Sequence, residues 1–521
     1  MKSDAIAVPV PSADSAFDSA EQLGAKSAST DNKMDIIYSD RRFFGHPRGL
    51  AVLGTGNLFN SIAWAAFYAI FIYYLYSPFS RGLGFTAGQA ASIVAALGVV
   101  NSVFGIVGSW LADRVLGMRT ALVLGNITKA IGFALIAIPS FSVDQGRVCM
   151  FLGLIFLAVP LMGQSNNSLT AQLYRKSDDA RRDAAFTFHN IFNSIGGLLA
   201  PVVVGNISML DYHIGFVIAA AAALGYALII LLFSHSCFGE LGRAPVKPLD
   251  PGQLKRIGLI TSAVVVLVVV VMAALISIGV MTFDRLLSLI TTMAFLIPIA
   301  FFVRLFTNRD IPKTERRVFK PMSQLLAVQV FQALILAVTG STNLIYMDQY
   351  LNRSFLGITF APATFVSISA VFALVVSPVA TYLWTATAFG SSIRSLSKMA
   401  LSYAFGAVSL FVIPLTVTLA TGKVNPIWFI LTMIFDQFTQ SVGGATGISI
   451  IAKMAPKSYD TQIQTAFAQC TTIGNGLGLL IFMFATTAQQ QLAVYPWLGA
   501  GTILIAIYLR VTQKRFEAAV A

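Results

Sequence analysis

Long apolar runs alternate with short polar breaks along nearly the whole chain. Fourteen such runs begin near Ala51, Gln89, Thr120, Val148, Ala184, Ile214, Ile257, Leu286, Gln324, Pro362, Met399, Pro426, Gln464 and Val494. A hydrocarbon core about 30 Å thick needs roughly 20 helical residues to cross it. Backbone in lipid has no water to bond with, so a spanning run closes its own hydrogen bonds as a helix. The pattern therefore predicts an all-α, multi-pass membrane protein with 14 transmembrane helices.

The runs group as six, two and six. A block at 45–235 and another at 321–512 flank linkers and a two-helix insert at 236–320, with tails at 1–44 and 513–521. Paired six-span halves, with a substrate held near the midplane between them, are a common transporter plan. The insert is framed by polar stretches, Ser236 to Lys255 with Pro245, Pro248 and Pro251, and Asn308 to Lys320. Its first helix has no hydrogen-bonding side chain from Ala263 to Ile276. It is expected at the periphery.

Composition refines this picture only where the charges fall. Hydrophobic residues make up 56% of the chain and charged residues 11%, and the net charge is +13. Starting from a cytoplasmic amino terminus, only Arg81, Arg147, Arg285, Arg353 and Lys423 fall in outside loops. That asymmetry predicts both termini in the cytoplasm and makes the basic charge topological, not a nucleic-acid footprint. Residues 1–44, rich in Ser, Ala and Asp, read as a disordered cytoplasmic tail without a signal peptide. Cys149, Cys237 and Cys470 have neither metal-ligand spacing nor the look of a disulfide framework.

Local motifs narrow the class. After the second run comes Gly108-Ser-Trp-Leu-Ala-Asp113-Arg114-Val-Leu-Gly117-Met-Arg119, a short turn carrying an acid, a base and flanking glycines. It resembles the loop between spans two and three of the major facilitator superfamily. Asp113 and Arg114 then become candidates for a cytoplasmic gate; the plainer reading is a solvated, capped turn. Further pieces are Gly45-His-Pro-Arg-Gly-Leu50, Asp178-Asp-Ala-Arg-Arg-Asp183-Ala-Ala-Phe186, Glu315-Arg-Arg-Val318, Ser377-Pro378 with Trp384, and Lys453-Met-Ala-Pro456-Lys457. In order and position these resemble the proton-dependent oligopeptide transporter family, over about 45–510. The resemblance implies a major facilitator fold, a bacterial inner membrane, and proton-driven uptake (symport) of di- and tripeptides.

The departures from that family matter as much as the match. Its Glu-x-x-Glu-Arg cluster in the first span falls on Asn57, Asn60 and Ser61. Its lysine in the fourth span falls on Gln164, and its glutamates in the seventh and tenth fall on Leu336 and Gln440. The Tyr and Asn of the fifth fall near Asn190 and Ser194. Amides keep hydrogen bonding but cannot exchange protons near neutral pH. Asn57, Asn60, Trp64, Gln164, His189, Asn190 and Gln440 are the candidate substrate contacts. Each amide could equally bridge neighbouring helices, and His189 could equally pack as a neutral polar residue. Asp436, one turn before Gln440, is the candidate proton-coupling group; the plainer reading is an acid hydrated at the membrane edge. Lys129 in the third run either snorkels to the cytoplasmic edge or serves function.

No catalytic constellation stands out. A phosphate-cradling Gly-x-x-x-x-Gly-Lys loop is absent, and His46, His189, His213 and His235 are too scattered in sequence for a metal site. Neither cofactor, metal nor enzymatic activity is expected. The expected partners are a small-molecule or short-peptide substrate and membrane lipids, and one chain contains a complete pathway, so a monomer suffices. The expected function is a secondary transporter of small peptides or peptide-like compounds working by alternating access. An exporter of a peptide-like metabolite or drug, and a sensor built on a transporter scaffold, are the rival readings.

Overall fold

The computed structural model describes residues 34–520, apart from 160, 163–164, 176–177, 246–247, 281, 308–318, 356, 386, 388–392, 445, 448–449 and 452–459. Gln164, most of the amino-terminal tail, Glu315 to Val318 and Lys453 to Lys457 lie outside the described residues, as does the Trp384 side chain.

Every predicted run coincides with a helix. In the first half these are α1 (Arg48–Tyr76), α2 (Ala87–Leu111), α3 (Met118–Ile136), α4 (Val143–Ala158), α5 (Ser165–Gln172), α6 (Asp179–Ser208) and α7 (Tyr212–Phe238). The insert supplies α8 (Pro251–Ser277) and α9 (Phe283–Thr307). The second half holds α10 (Phe319–Gln349), α11 (Thr364–Thr385), α12 (Ser395–Leu419), α13 (Pro426–Phe438), α14 (Asp460–Phe484) and α15 (Ala488–Val520). Among the described residues ten helices are long and apolar enough to cross a membrane unaided. The protein is a multi-pass membrane protein.

Sequence chemistry sets several boundaries. Thr86 and Gln89 cap α2 reciprocally, each side chain accepting from the other's backbone N–H. Asn425 caps α13 ahead of Pro426, whose missing N–H costs nothing at a first helical position. The fourth run is split between α4 and α5. Val159 is extended ahead of Pro160, as expected of a residue preceding proline. Two helices widen into π turns, Ala112–Leu116 after α2 and Thr439–Gly444 after α13. Such turns concentrate at functional sites. A two-residue hairpin, Ser354–Phe355 against Ile358–Thr359, links α10 and α11.

In the first half α1 packs along α6 and α7, and α3 packs on α4 and α7. In the second, α12 packs on α15 and α13, and α10 on α14. Close approach is literal at Gly56, where a Cβ would stand 2.1 Å from the Tyr226 ring. The halves meet along α2 and α14 and along α6 and α11. α9 lies outside this seam against α14 and α2, with Ala294 over Gly476.

The hydrogen bonds across the seam gather at one end of the bundle, where α1 finishes and α11 begins. Tyr73 donates to the Leu344 carbonyl at 3.0 Å, and Tyr76 donates to the Asp348 carboxylate. Asn206 donates to Thr364 at 3.3 Å, Ser367 to the Leu198 carbonyl at 2.7 Å, and Gly88 N–H to the Thr486 carbonyl at 2.9 Å. This end is closed.

Candidate functional site

A cavity of about 680 Å³ occupies the seam between the halves. Its size suits a small ligand, and its wall is mostly apolar with a few convergent polar groups. The first half contributes Tyr68 from α1, Gly98 from α2, and Gly197 and Pro201 from α6. The second contributes Asn343 from α10, Ser369 from α11, Asn475 from α14 and Tyr495 from α15. α13 and the π turn after it contribute most of the chemistry: Asp436 and Gln437 from the helix and Gln440 from the turn. Asp436 is the one ionisable carboxyl among the described lining residues, and that lining holds no cationic side chain.

Local structure positions each of these groups. Asp436 lies ten residues past Pro426, about 15 Å down α13 at 1.5 Å per residue, and so near mid-membrane. Gln440 Nε2 donates to Asp436 Oδ2 at 2.8 Å. The sequence reading placed this pair at i and i+4 of a regular helix; the structure puts the start of a π turn between them, at Thr439. Gln437 Nε2 donates to Ser369 Oγ at 2.7 Å, tying α13 to α11. Tyr495 OH donates to Asn343 Oδ1 at 2.7 Å, tying α15 to α10. Amides fixed by a carboxylate or hydroxyl partner are held in one orientation, ready to present their remaining valences to a ligand.

The other candidates are distributed differently. Asn57 and Asn60 lie about one and a half to three turns nearer the start of α1 than the lining residues Ala65 and Tyr68. Asn57 Nδ2 donates to the His189 carbonyl at 3.0 Å, bridging α1 and α6. Asn60 Oδ1 accepts from the Lys129 ammonium at 2.5 Å, and that lysine is buried. Lys129 therefore does not snorkel to an edge. Trp64 stacks on Tyr68, with ring centroids 5.5 Å apart, and so supports the cavity wall from behind. Asn190 is exposed on α6.

His189 does not reach the cavity. Its Nε2 bonds the Thr170 hydroxyl at 2.9 Å and its Nδ1 meets Asn166 Nδ2 at 3.4 Å, while Tyr226 OH donates to Asn166 Oδ1 at 2.9 Å. A buried ring with both nitrogens engaged joins α5, α6 and α7. Sequence reasoning missed Tyr68, Ser369, Asn475 and Tyr495. The signal for Asn475 was present: an amide between two glycines, Gly474 and Gly476, ahead of the apolar end of α14.

At the other end of the bundle, Asp113 and Arg114 form part of the π turn that closes on Gly117, whose φ is +76°. Asp113 is exposed. The Arg114 carbonyl accepts from Leu249 N–H at 3.3 Å, and a Cβ on Gly117 would stand 2.4 Å from the Arg243 carbonyl oxygen. The linker after α7 is thereby laid against this turn.

Two further motifs meet beside α1. Arg181 donates to the Gly45 carbonyl at 2.9 Å and to Asp178 at 2.8 Å, and His46 Nδ1 meets Tyr174 OH at 2.8 Å. Burial, followed by the nearby Arg181 guanidinium, moves the His46 pKa below its ordinary value. For Asp40, burial pushes upward but is outweighed by backbone N–H bonds from Arg48 and Arg42, so its carboxyl sits below its ordinary value.

The motif order, the fold and this cavity agree with one family, and the POT family (PTR2) matches residues 119–498. The chain belongs to the POT family. The transporter YclF of Bacillus subtilis (strain 168), itself uncharacterized, is 29% identical over 451 residues, 84% of this chain and 87% of its own. A di-/tripeptide transporter of Lactococcus lactis subsp. cremoris is 27% identical over 496 residues, 91% of this chain and 97% of its own. The crystal structure of a peptide transporter POT in complex with sulfate matches with a TM-score of 0.87 at 26% identity. That match covers 93% of this chain and 99% of that one. Leu336 and Gln440 both line the cavity. Asp436 stands one turn away.

Proposed function

We propose that this POT protein is a secondary transporter of short peptides and peptide-like compounds, with Asp436 as its relocated proton-coupling and amine-binding group. One observation carries the reading. A mid-membrane cavity between two six-helix halves holds a single carboxyl group among its described lining residues, fixed by Gln440. An ionisable group at that depth marks an ion or substrate path. A carboxylate there can take a proton or accept from a ligand's ammonium group, whereas the surrounding amides can do only the second kind of work.

The excess of basic residues in alternate loops supports a closed end facing outside and an Asp113–Arg114 turn and both termini in the cytoplasm, and the family resemblance supports a bacterial inner membrane. The protein then faces inward. Rocking of the halves breaks the outer contacts and rebuilds contacts at the Asp113 turn, which gives alternating access around a fixed site. Asn57, Asn60 and Asn190 face the inner approach. The lining provides amides rather than a cation for a ligand's carboxylate, which favours peptide-like amines over strictly zwitterionic cargo. A monomer completes the pathway, and no cofactor or catalysis is involved.

Proteoliposomes carrying an inward proton gradient and a labelled dipeptide pool test this. Accumulation that collapses with the gradient is expected. Exchange indifferent to the gradient removes the coupling role of Asp436, and the absence of flux in both conditions removes peptide uptake.

A further inference from the structure

A second pocket, of about 530 Å³, lies away from the central cavity, where α12 begins and α15 ends. Arg394, just ahead of α12, and Ser397 on it line the pocket, with Arg510, Gln513 and Lys514 from α15. Arg510 and Lys514 are four residues apart and share a helix face. The wall is organised before any ligand arrives. Arg510 Nη1 donates to Ser397 Oγ at 2.6 Å and to Gln513 Oε1 at 3.0 Å, and Ser397 Oγ donates to Gln513 Oε1 at 2.6 Å. Gln513 is buried, which anchors the network to the helix pair.

Charge identifies the ligand class. Three cationic side chains converge on one pocket whose described lining contains no carboxylate. The first turn of α12 has no side-chain cap, so its N–H groups add partial positive charge at the same place. An oriented guanidinium beside an ammonium suits phosphate oxygens. The surroundings then select the form of that phosphate. Val511 lines the pocket and is 76% exposed, and Ile507 and Leu504 continue the apolar strip along the outer face of α15. A free anion has no use for such a strip, whereas an acyl chain does. Basic pockets at the ends of membrane helices on the cytoplasmic side are suited to anionic headgroups.

We propose that this pocket binds the phosphate of an anionic phospholipid, whose acyl chains lie along Leu504, Ile507 and Val511. The lipid would brace α12 against α15 at the end of the bundle that opens. This binding is independent of the cargo reading: it is measured on the purified protein without transport, so failure of one leaves the other standing.

The test is native mass spectrometry of the detergent-solubilised protein offered equal phosphatidylglycerol and phosphatidylcholine. Wild type is expected to retain phosphatidylglycerol preferentially. The Arg510→Gln/Lys514→Gln variant is expected to lose roughly tenfold or more of that retention, while Arg510→Lys/Lys514→Arg keeps it. Lys255→Gln/Arg256→Gln, which removes two exposed charges on α8, is expected to behave as wild type. Millimolar inorganic phosphate is expected not to displace the lipid. Equal retention of both lipids, equal loss in the α8 control, or unchanged retention in Arg510→Gln/Lys514→Gln overturns the proposal. Displacement by inorganic phosphate overturns it in favour of a free-phosphate site.

Discussion

Gln440 holds the carboxylate of Asp436 by a 2.8 Å hydrogen bond across the start of a π turn, at mid-membrane and on the wall of the central cavity. The pairing leaves the second carboxylate oxygen available to a proton or a ligand. Asp436→Asn keeps the volume and the hydrogen bonding but cannot exchange a proton. Accumulation above equilibrium is therefore expected to vanish in this variant, while exchange of labelled for unlabelled substrate persists. Counterflow in proteoliposomes measures both. Full accumulation in Asp436→Asn would place the coupling group elsewhere.

The proximity of the two side chains allows the carboxylate to be moved. In Asp436→Asn/Gln440→Glu the acid and the amide exchange places between α13 and the π turn that follows it. Proton-driven accumulation lost in Asp436→Asn is expected to return in the double variant, at reduced rate because the carboxylate is displaced relative to Asn343 and Asn475. The readout is initial uptake with and without the gradient. A double variant as uncoupled as the single one would show that position matters more than the presence of an acid.

Lys129 and Asn60 form a pair of a different kind, an ammonium held by a neutral amide, with Met162 Sδ at 3.8 Å. Removing the acceptor leaves a buried charge without its oxygen. Asn60→Leu is expected to cost about 2 kcal/mol. Lys129→Met/Asn60→Leu is expected to recover most of that, since replacing both members by apolar groups is often neutral. Thermal unfolding of the four proteins in detergent closes the cycle. Simple additivity would mean that the pair carries no coupling.

How far the sequence could be read depended on range. The fourteen spans and the motif order come from local hydropathy and charge, which any window of residues displays, and α1 to α15 follow them. Capping at Thr86 and Asn425 is equally local. The site is not. Asn475 and Tyr495 reach the cavity because α14 and α15 happen to face α10 and α13, a relation no spacing along one helix contains. His189 illustrates the reverse case, in which the sequence left pocket and packing equally open. A histidine among asparagines in a membrane helix suggests a pocket, yet Thr170, from a different helix, takes one ring nitrogen and Asn166 the other. The π turn at Thr439 was illegible because it changes the helix period without changing the pattern of residue types.

His46 sits outside the spans, against Tyr174 and Phe188 and near Arg181. Burial, then the positive charge of Arg181, disfavours its protonated form, so its folded pKa lies below the unfolded value of 6.5. The unfolded chain therefore binds the proton more readily. Stability from this group is fully present above pH 6.5 and is lost as pH falls below it, towards the folded value. The midpoint of thermal unfolding is expected to fall between pH 6.5 and about pH 5 more steeply in wild type than in His46→Gln. Parallel slopes would show that His46 makes no contribution.

The closure at the Tyr73 end of the seam rests on Tyr76, which donates across the seam to Asp348, itself paired with Arg353 at 3.3 Å. A hydrogen bond to a charged acceptor is worth about 1.5–3 kcal/mol, against about 0.5–1.5 for the neutral bond from Tyr73 to the Leu344 carbonyl. Tyr76→Phe removes the first without changing the ring that packs there. If the two halves alternate between two states, losing that bond shifts the balance towards an outer-open form by roughly tenfold or more. Tyr73→Phe is expected to shift it less. Spin labels at Ser80 and Ile358, both exposed and on opposite halves, report the separation as a distance distribution. A longer-distance population is expected to grow in the order wild type, Tyr73→Phe, Tyr76→Phe. Identical distributions in all three would place the closing energy in the apolar packing of α2 on α14, leaving the tyrosines as bystanders.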